Sequence, residues 1–370
     1  MPTAVAAVAR AAGKPFSIEE IHVQDPRPHE VLVRVQAVGI CHTDLSVRAG
    51  HTPFPLPGVL GHEAVGRVEA VGAAVTTTSP GDRVAVTFDS CGDCLPCLSG
   101  RPVQCDHWPA LNLFGGSRLD GSPTLHDSSG MPLHGHFFGQ SSFAGLALAS
   151  DRNVVPVPED IPAEVLAPLG CGVQTGAGAV LNVLRPEPGH TLVVFGAGAV
   201  GLAAVIAAGL TAATRIIAVD LHPARLDLAR RLGATDVVDA RAEDPAAALA
   251  ELTAGRGADR ALETSGDVRA LRQAVDGLAV GGVCGVVGAP PAGTEVGVDV
   301  PRMLDRGPRI VGINQGASLP RRFLPALVEL HRAGRLPVDE LVRSYPFERI
   351  ESAAEDALSG RVVKPVLLLP

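Results

Sequence analysis

No run of lysine or arginine occurs anywhere in the chain, whose formal charge is −8 from 31 basic and 39 acidic residues. Without a basic patch there is little to hold a phosphate backbone or an anionic lipid surface, so neither nucleic acid nor membrane is expected as a partner. No basic residue precedes the first apolar stretch, and Arg10 and Lys14 interrupt it, which argues against a secretory leader and for a cytoplasmic protein. No internal repeat is seen. Nor is the chain of low complexity: Gly 42 and Pro 31 make up about a fifth of 370 residues, short of the roughly 25–30% of disordered chains.

What is present is ample apolar material, 46% of the residues, in a chain too long for one core; two domains are expected. Residues 191–214 carry no charge over 24 positions, long enough to cross a bilayer. Four glycines lie inside that run and charged periodic segments follow it. A buried strand leading into a buried helix gives the same hydropathy and is the preferred reading.

The seven cysteines are of two kinds. Cys91, Cys94, Cys97 and Cys105 form C-x2-C-x2-C-x7-C, with Gly92, Pro96 and Gly100 supplying turns. Two-residue gaps let a tight turn present successive thiolates to one ion, and four thiolates make the closed, structural type of zinc site. A ferredoxin-type cluster ends in x3-C-P, which this run does not, and disulfides are disfavoured in a reducing compartment. Cys284, in an apolar strand-like run, reads as a small buried hydrophobe. Cys41 opens Cys41-His42-Thr43-Asp44, His62 stands in Gly61-His62-Glu63, and Cys171 lies between glycines. Spacing alone does not assemble three ligands drawn from so far apart.

Residues 191–201 read TLVVFGAGAVG, an apolar strand entering G-x-G-x-x-G and leaving into a helix-forming run. Gly196 permits the tight turn, Gly198 lets a pyrophosphate approach the backbone, and Gly201 lets helix and strand pack closely, with phosphate on the helix N-terminus. A second strand ends in Asp220, whose carboxylate can accept both ribose hydroxyls of NAD and repel the 2′-phosphate of NADP. The same residue would also serve as a helix N-cap before Pro223. Strand-like segments at 215–219, 236–238, 260–263, 283–287 and 309–313 alternate with helices, which implies a doubly wound parallel sheet.

The run Gly61-His62-Glu63-Ala64-Val65-Gly66, then Gly72 and Val75, together with the four-cysteine lobe and the Gly196–Gly201 fingerprint, resembles the zinc-dependent medium-chain alcohol dehydrogenases over essentially the whole chain. Runs at 137–143, 170–176 and 363–366 look most like the aryl-alcohol (benzyl alcohol) branch. The resemblance implies an α/β fold, with a GroES-like irregular β catalytic domain (residues 1–172 and 316–370, strands at 30–37 and 83–86) and an inserted Rossmann domain (173–315). It implies two zinc ions per chain and NAD. Cys41, His62 and Cys171 would hold the catalytic zinc, a Cys2His set with one open position. Asp44 would orient His62, Glu63 would lie behind the metal, and Thr43 would bond the substrate oxygen and begin proton removal. His42 would lie near the pyrophosphate, Arg225 near the adenosine ribose and Thr175 on the nicotinamide; without the resemblance, His42 and Arg225 read as ordinary solvated side chains.

Phe137, Phe138 and Asn314 are expected at an apolar substrate pocket suited to a flat aromatic or allylic primary alcohol, in a cleft between the domains; core packing is the other reading of the two phenylalanines. Ser46 stands where many relatives carry a proton-relaying histidine, so a shallower pH dependence of hydride transfer is expected. Residues 106–135 read as a polar, turn-rich excursion. A homodimer or homotetramer is expected, with residues 309–313 as a sheet edge open to a partner. Two rivals remain: a formaldehyde dehydrogenase acting on a thiol adduct, against which Asp106-His107-Trp108-Pro109 lacks the expected arginine, and a non-catalytic relative, which would usually have lost zinc ligands.

Overall fold

Valine-rich alternation dominates the early chain, and it folds as strands. The computed structural model describes all 370 residues and divides into two compact units, one of Met1–Cys171, Leu319–Glu329 and Val338–Pro370, the other of Gly172–Ser318 and Leu330–Pro337. The second unit thus begins at Gly172 and runs on to Ser318, and the short segment Leu330–Pro337 joins it as well.

In the first unit the central strand is Glu30–Gly39, EVLVRVQAVG, nearly all of it buried. It pairs antiparallel with Ala64–Val71, Leu146–Ser150 and Lys364–Leu368. Arg83–Val86 and Val154–Pro156 extend the sheet beyond Ala64–Val71, and Val342–Pro346 joins at the other end as a parallel neighbour of Lys364–Leu368. The end of the chain therefore lies against residues 37–39, immediately before Cys41. A second sheet has the order Gly58–Val59, Thr3–Ala9, Ser17–Val23, Leu125–Asp127, Pro132–Leu133. Its last two strands correct the reading of 106–135 as a mere excursion: Leu125–Asp127 pairs with Ile21–Val23 and adds backbone hydrogen bonds that composition does not announce. Branched and aromatic side chains from both sheets fill one continuous core.

The second unit is a six-stranded parallel sheet in the order Asp236–Asp239, Arg215–Asp220, Thr191–Phe195, Ala258–Glu263, Leu278–Val286, Arg309–Gly312. By order of appearance this is 3-2-1-4-5-6, the doubly wound pattern whose direction of winding reverses beside its first strand. Helix Ala199–Ala208 follows that strand and buries every residue from Gly201 to Ala208. Burial of strand Thr191–Phe195 and of Gly201–Ala208 explains most of the uncharged 24-residue run of residues 191–214, and no helix of the chain is long and apolar enough to cross a membrane. Asp244, Asp267 and Asp299 cap helices of this unit by accepting from backbone N–H groups. Cys284 is fully buried in its strand, as its apolar neighbours require.

Candidate active site

Cys41 caps helix His42–Ala49, and Asp44 sits in that helix's first turn, where a carboxylate is favoured. Asp44 is wholly buried. Its Oδ2 accepts from the Cys41 N–H at 2.8 Å, and its Oδ1 accepts from the Gly61 N–H at 3.0 Å and from His62 Nδ1 at 2.9 Å. One carboxylate therefore knots together two segments remote in sequence. Gly61 makes the turn that delivers His62: its φ is +87°, and a Cβ there would meet Phe143 N at 2.5 Å.

With Nδ1 committed to Asp44, Nε2 is the ring atom left to a ligand, and it is buried with no hydrogen-bond partner. An unpartnered buried imidazole nitrogen is costly unless an electrophile occupies its lone pair. The sulfurs of Cys41 and Cys171, His62 and a Glu63 oxygen present ligand atoms within 4.8 Å of one another. Sulfur and imidazole donors around one point fit zinc. A hydrogen bond with Cys171, working against burial, and the neighbouring His62 hold the Cys41 thiol well below its usual range. Burial opposes charge on His62, yet Asp44 and Cys41 outweigh it and lift the imidazole to about 10. The surroundings thus favour positive charge at the Nε2 edge beside thiolate, and a metal ion bound there would take the place of the Nε2 proton.

Cys171 ends a chain of short helical turns from Ala163 to Gly170 and is fastened from below, where the Thr87 hydroxyl donates to the Gly170 carbonyl at 2.6 Å. Glu63 points away from solvent, and Lys364 Nζ lies 2.9 Å from both its oxygens and 3.2 Å from the Ile40 carbonyl. Burial pushes the Glu63 carboxyl up while Lys364 pulls it down. Sequence reasoning passed over Lys364 as part of a tail motif; the available signal was a lysine heading an otherwise apolar strand, Lys-Pro-Val-Leu-Leu. Thr43 Oγ1 is 3.7 Å from the Cys41 sulfur, His42 is exposed, and Ser46 Oγ bonds Thr52 Oγ1 at 2.7 Å.

Cys91, Cys94, Cys97 and Cys105 likewise bring their sulfurs within 4.8 Å of one another. The Cys94 N–H donates to Cys91 Sγ at 3.4 Å and the Cys91 N–H to Cys105 Sγ at 3.3 Å, as backbone amides do around thiolates. Leu95 and Leu98 are exposed, so the lobe has little core of its own.

In the second unit Gly196 has φ +92°, and a Cβ on Gly201 would stand 1.7 Å from the Gly196 carbonyl oxygen. Gly198 faces open space and caps helix Ala199–Ala208 without any side-chain bond, leaving its first N–H groups for a ligand. Asp220 accepts from the Ala197 N–H at 2.6 Å and the His222 N–H at 2.8 Å, tying the second strand to the glycine turn. His222, rather than Asp220, is the cap of helix Pro223–Arg231. Arg225 Nε is buried and unpartnered, and Thr175 lies in helix Gly172–Gly178. These residues fit a dinucleotide.

Phe137 and Phe138 are both buried, and both touch His62: the Phe138 ring stacks on the imidazole at 4.3 Å and 18°, and the Phe137 ring meets it edge-on at 5.3 Å. Asn314 is exposed and lies in the second unit, just before the turn Gln315–Ala317.

Fold and donor sets define a two-unit dehydrogenase with a sulfur- and imidazole-lined metal site. Comparison with known proteins names the class. A model of the alcohol dehydrogenase GroES-like domain matches residues 27–159, and one of the zinc-binding dehydrogenases matches residues 199–331. Geraniol dehydrogenase of Castellaniella defragrans is 42% identical over 99% of this chain and 98% of its own. The crystal structure of a zinc-binding-domain alcohol dehydrogenase protein from Burkholderia ambifaria is 51% identical, with a TM-score of 0.96 over 100% of this chain and 99% of that one. Benzyl alcohol dehydrogenase of Acinetobacter calcoaceticus is 42% identical, with a TM-score of 0.96 over 100% of both chains. The chain belongs to the zinc-dependent medium-chain alcohol dehydrogenase family. It is an alcohol dehydrogenase, and zinc and NAD are the cofactors of this family.

Proposed function

We propose that this enzyme interconverts a primary aromatic or allylic alcohol and its aldehyde, with NAD as hydride acceptor. The observation that carries the reading is the convergence of Cys41, His62 and Cys171 with the buried Nε2 of His62 left free. Zinc held by these three residues supplies Lewis acidity at the substrate oxygen, and NAD supplies the acceptor for the hydride. Asp44 keeps His62 in the tautomer that offers Nε2, and Glu63, neutralised by Lys364, completes the surroundings without adding net charge. Thr43 takes the substrate's hydroxyl proton as it passes on its own, and Ser46, bonded to Thr52, with water leads that proton toward solvent. Hydride transfer requires substrate carbon and nicotinamide to be held in contact; we assign Gly196, Gly198, Gly201, His42 and Arg225 to the cofactor's phosphates and adenosine ribose, and Thr175 to its nicotinamide. Asp220 supports NAD over NADP, because a buried carboxylate at the ribose repels a second phosphate.

Phe137, Phe138 and Asn314 are our assignment for the substrate pocket. The aromatic wall beside His62, and the names of the geraniol and benzyl alcohol relatives, support a flat conjugated substrate. The four-cysteine lobe we assign to a second, structural zinc. We place the enzyme in the cytoplasm, since all seven cysteines are free thiols and the two clusters work only when reduced. Edge strand Arg309–Gly312 with its exposed Ile310, and the exposed Val300, Leu304 and Val280 in neighbouring elements, support a homo-oligomer joined through this edge. The test is zinc quantification with an alcohol panel read by NADH formation. Two zinc ions, and preference for benzyl, cinnamyl or geranyl alcohol over ethanol, are expected without added thiol; equal efficiency on ethanol and benzyl alcohol, or dependence on a thiol, overturns the substrate reading.

A further inference from the structure

The backbone around Phe138 is an outlier. Its φ is 50° and ψ 34°, Gly139 follows at φ 63° and Ser141 at φ 49°. A bulky aromatic residue rarely adopts the left-handed region, and such a conformation persists only where the surroundings over-determine it.

Here they do. Asn153, fully buried, donates through Nδ2 to the Phe138, Gly139 and Thr87 carbonyls at 3.4, 3.2 and 3.1 Å. The Ser141 hydroxyl oxygen accepts from the Phe137 N–H at 2.9 Å, and the Ser142 hydroxyl donates to Gln140 Oε1 at 2.9 Å. Gln140 Nε2 in turn donates to the carbonyl of His62 itself and to that of Thr87, each at 3.0 Å. The Ser142 N–H closes the loop on the Gly61 carbonyl at 2.9 Å. The strained turn is thus held by Asn153 and fastened through Gln140 and Ser142 to the segment that carries His62, and the ring it projects lies flat against that imidazole at 4.3 Å.

We propose that residues 137–142 brace the metal ligand His62, with Phe138 as a positioning residue that sets the plane of the imidazole. The division of labour follows from geometry. The bond from Nδ1 to Asp44 fixes where the ring is anchored but leaves it free to tilt about that bond. Stacking by Phe138, with Phe137 edge-on to both rings, removes the tilt, so that the Nε2 lone pair points at the place where the Cys41 and Cys171 sulfurs converge. A simple core role would need the bulk of Phe138, not its flat face nor its strained backbone. The inference rests on reading His62 as a ligand of the catalytic zinc.

The experiment uses the zinc-loaded enzyme and its cobalt-substituted form. Phe138→Leu and Phe138→Met keep bulk and lose the plane, Phe138→Tyr keeps the plane, and Phe16→Leu is a core control whose ring does not touch His62. Metal release to a chelator is followed for both zinc ions, the four-cysteine lobe serving as internal reference. Loss of ligand support typically weakens metal binding about 10- to 100-fold. Release from the catalytic site is therefore expected to quicken about 10-fold or more in the leucine or methionine variant, whichever folds. The cobalt ligand-field bands should shift in parallel, with Phe138→Tyr and Phe16→Leu close to wild type and lobe release unchanged throughout. Unchanged release and bands in the leucine or methionine variant overturn the proposal. If His62→Ala still holds two zinc ions, the underlying zinc assignment fails instead.

Discussion

Lys364, six residues from the end of the chain, places its ammonium 2.9 Å from both carboxylate oxygens of Glu63, in a pair that solvent does not reach. It can do so because strand Lys364–Leu368 pairs with Glu30–Gly39, just ahead of Cys41. Two charges withdrawn from water depend on each other, and deleting one leaves the other bare. Lys364→Met is expected to cost roughly 3–5 kcal/mol of stability. Glu63→Gln combined with Lys364→Met should recover much of that loss, as a double-mutant cycle by denaturant unfolding will show.

Asp44 holds Cys41, Gly61 and His62 at once. An asparagine has the shape but no charge, and only its carbonyl oxygen can accept. Asp44→Asn should lose catalytic-site zinc preferentially, with about 10- to 100-fold weaker binding there and intact binding at the lobe. Zinc content after graded chelation measures both.

Asp220 braces the glycine turn through the Ala197 N–H, and we assign it to the cofactor ribose. Replacing it with serine is expected to lower kcat/KM for NAD by roughly 10-fold or more, the worth of a charged hydrogen bond. NADP, no longer repelled, should gain as NAD loses. Steady-state kinetics with both cofactors decides; a loss of equal size for both would leave only the bracing role.

His136 is buried, and burial lowers its imidazole to about 4. Its folded value lies below the unfolded one, so unfolding takes up a proton, and the fold loses stability as pH drops from about 6.5 toward 4. Asp89, whose nearest oxygen is 3.8 Å from His136 Nε2, is raised to about 6 by burial. Its sign is opposite: the fold gains from protonating it between about 6 and 4. The two slopes offset each other in the wild type. His136→Asn removes only the first, so it should lose about 1.5 kcal/mol less stability than wild type between pH 6.5 and 5. Paired denaturant titrations across that range test the sign as well as the size.

Much of this was legible in the chain before any coordinates. The order of alternating strands and helices announced the parallel sheet, because helix and strand periods and glycine turns are local properties. The Cys91–Cys105 cluster was equally plain, since all four ligands come from one short run and the turn residues between them set their approach. Where 106–135 reads as an excursion, strand Leu125–Asp127 is made by pairing with Ser17–Val23, a partner about a hundred residues away in sequence, and Pro132–Leu133 then pairs with Leu125–Asp127.

The catalytic constellation was reached from the residues only with the help of resemblance. Cys41, His62 and Cys171 converge through an antiparallel sheet and through the three bonds of Asp44, and neither is written in spacing. The Glu63–Lys364 pair and the stack of Phe138 on His62 were not read at all. Amino-acid order by itself determined which ligands and turns exist, because side-chain chemistry and backbone freedom belong to single residues and their neighbours. Tertiary structure alone decided which of them meet, since long-range pairing and burial are settled by the competition of the whole chain for its core.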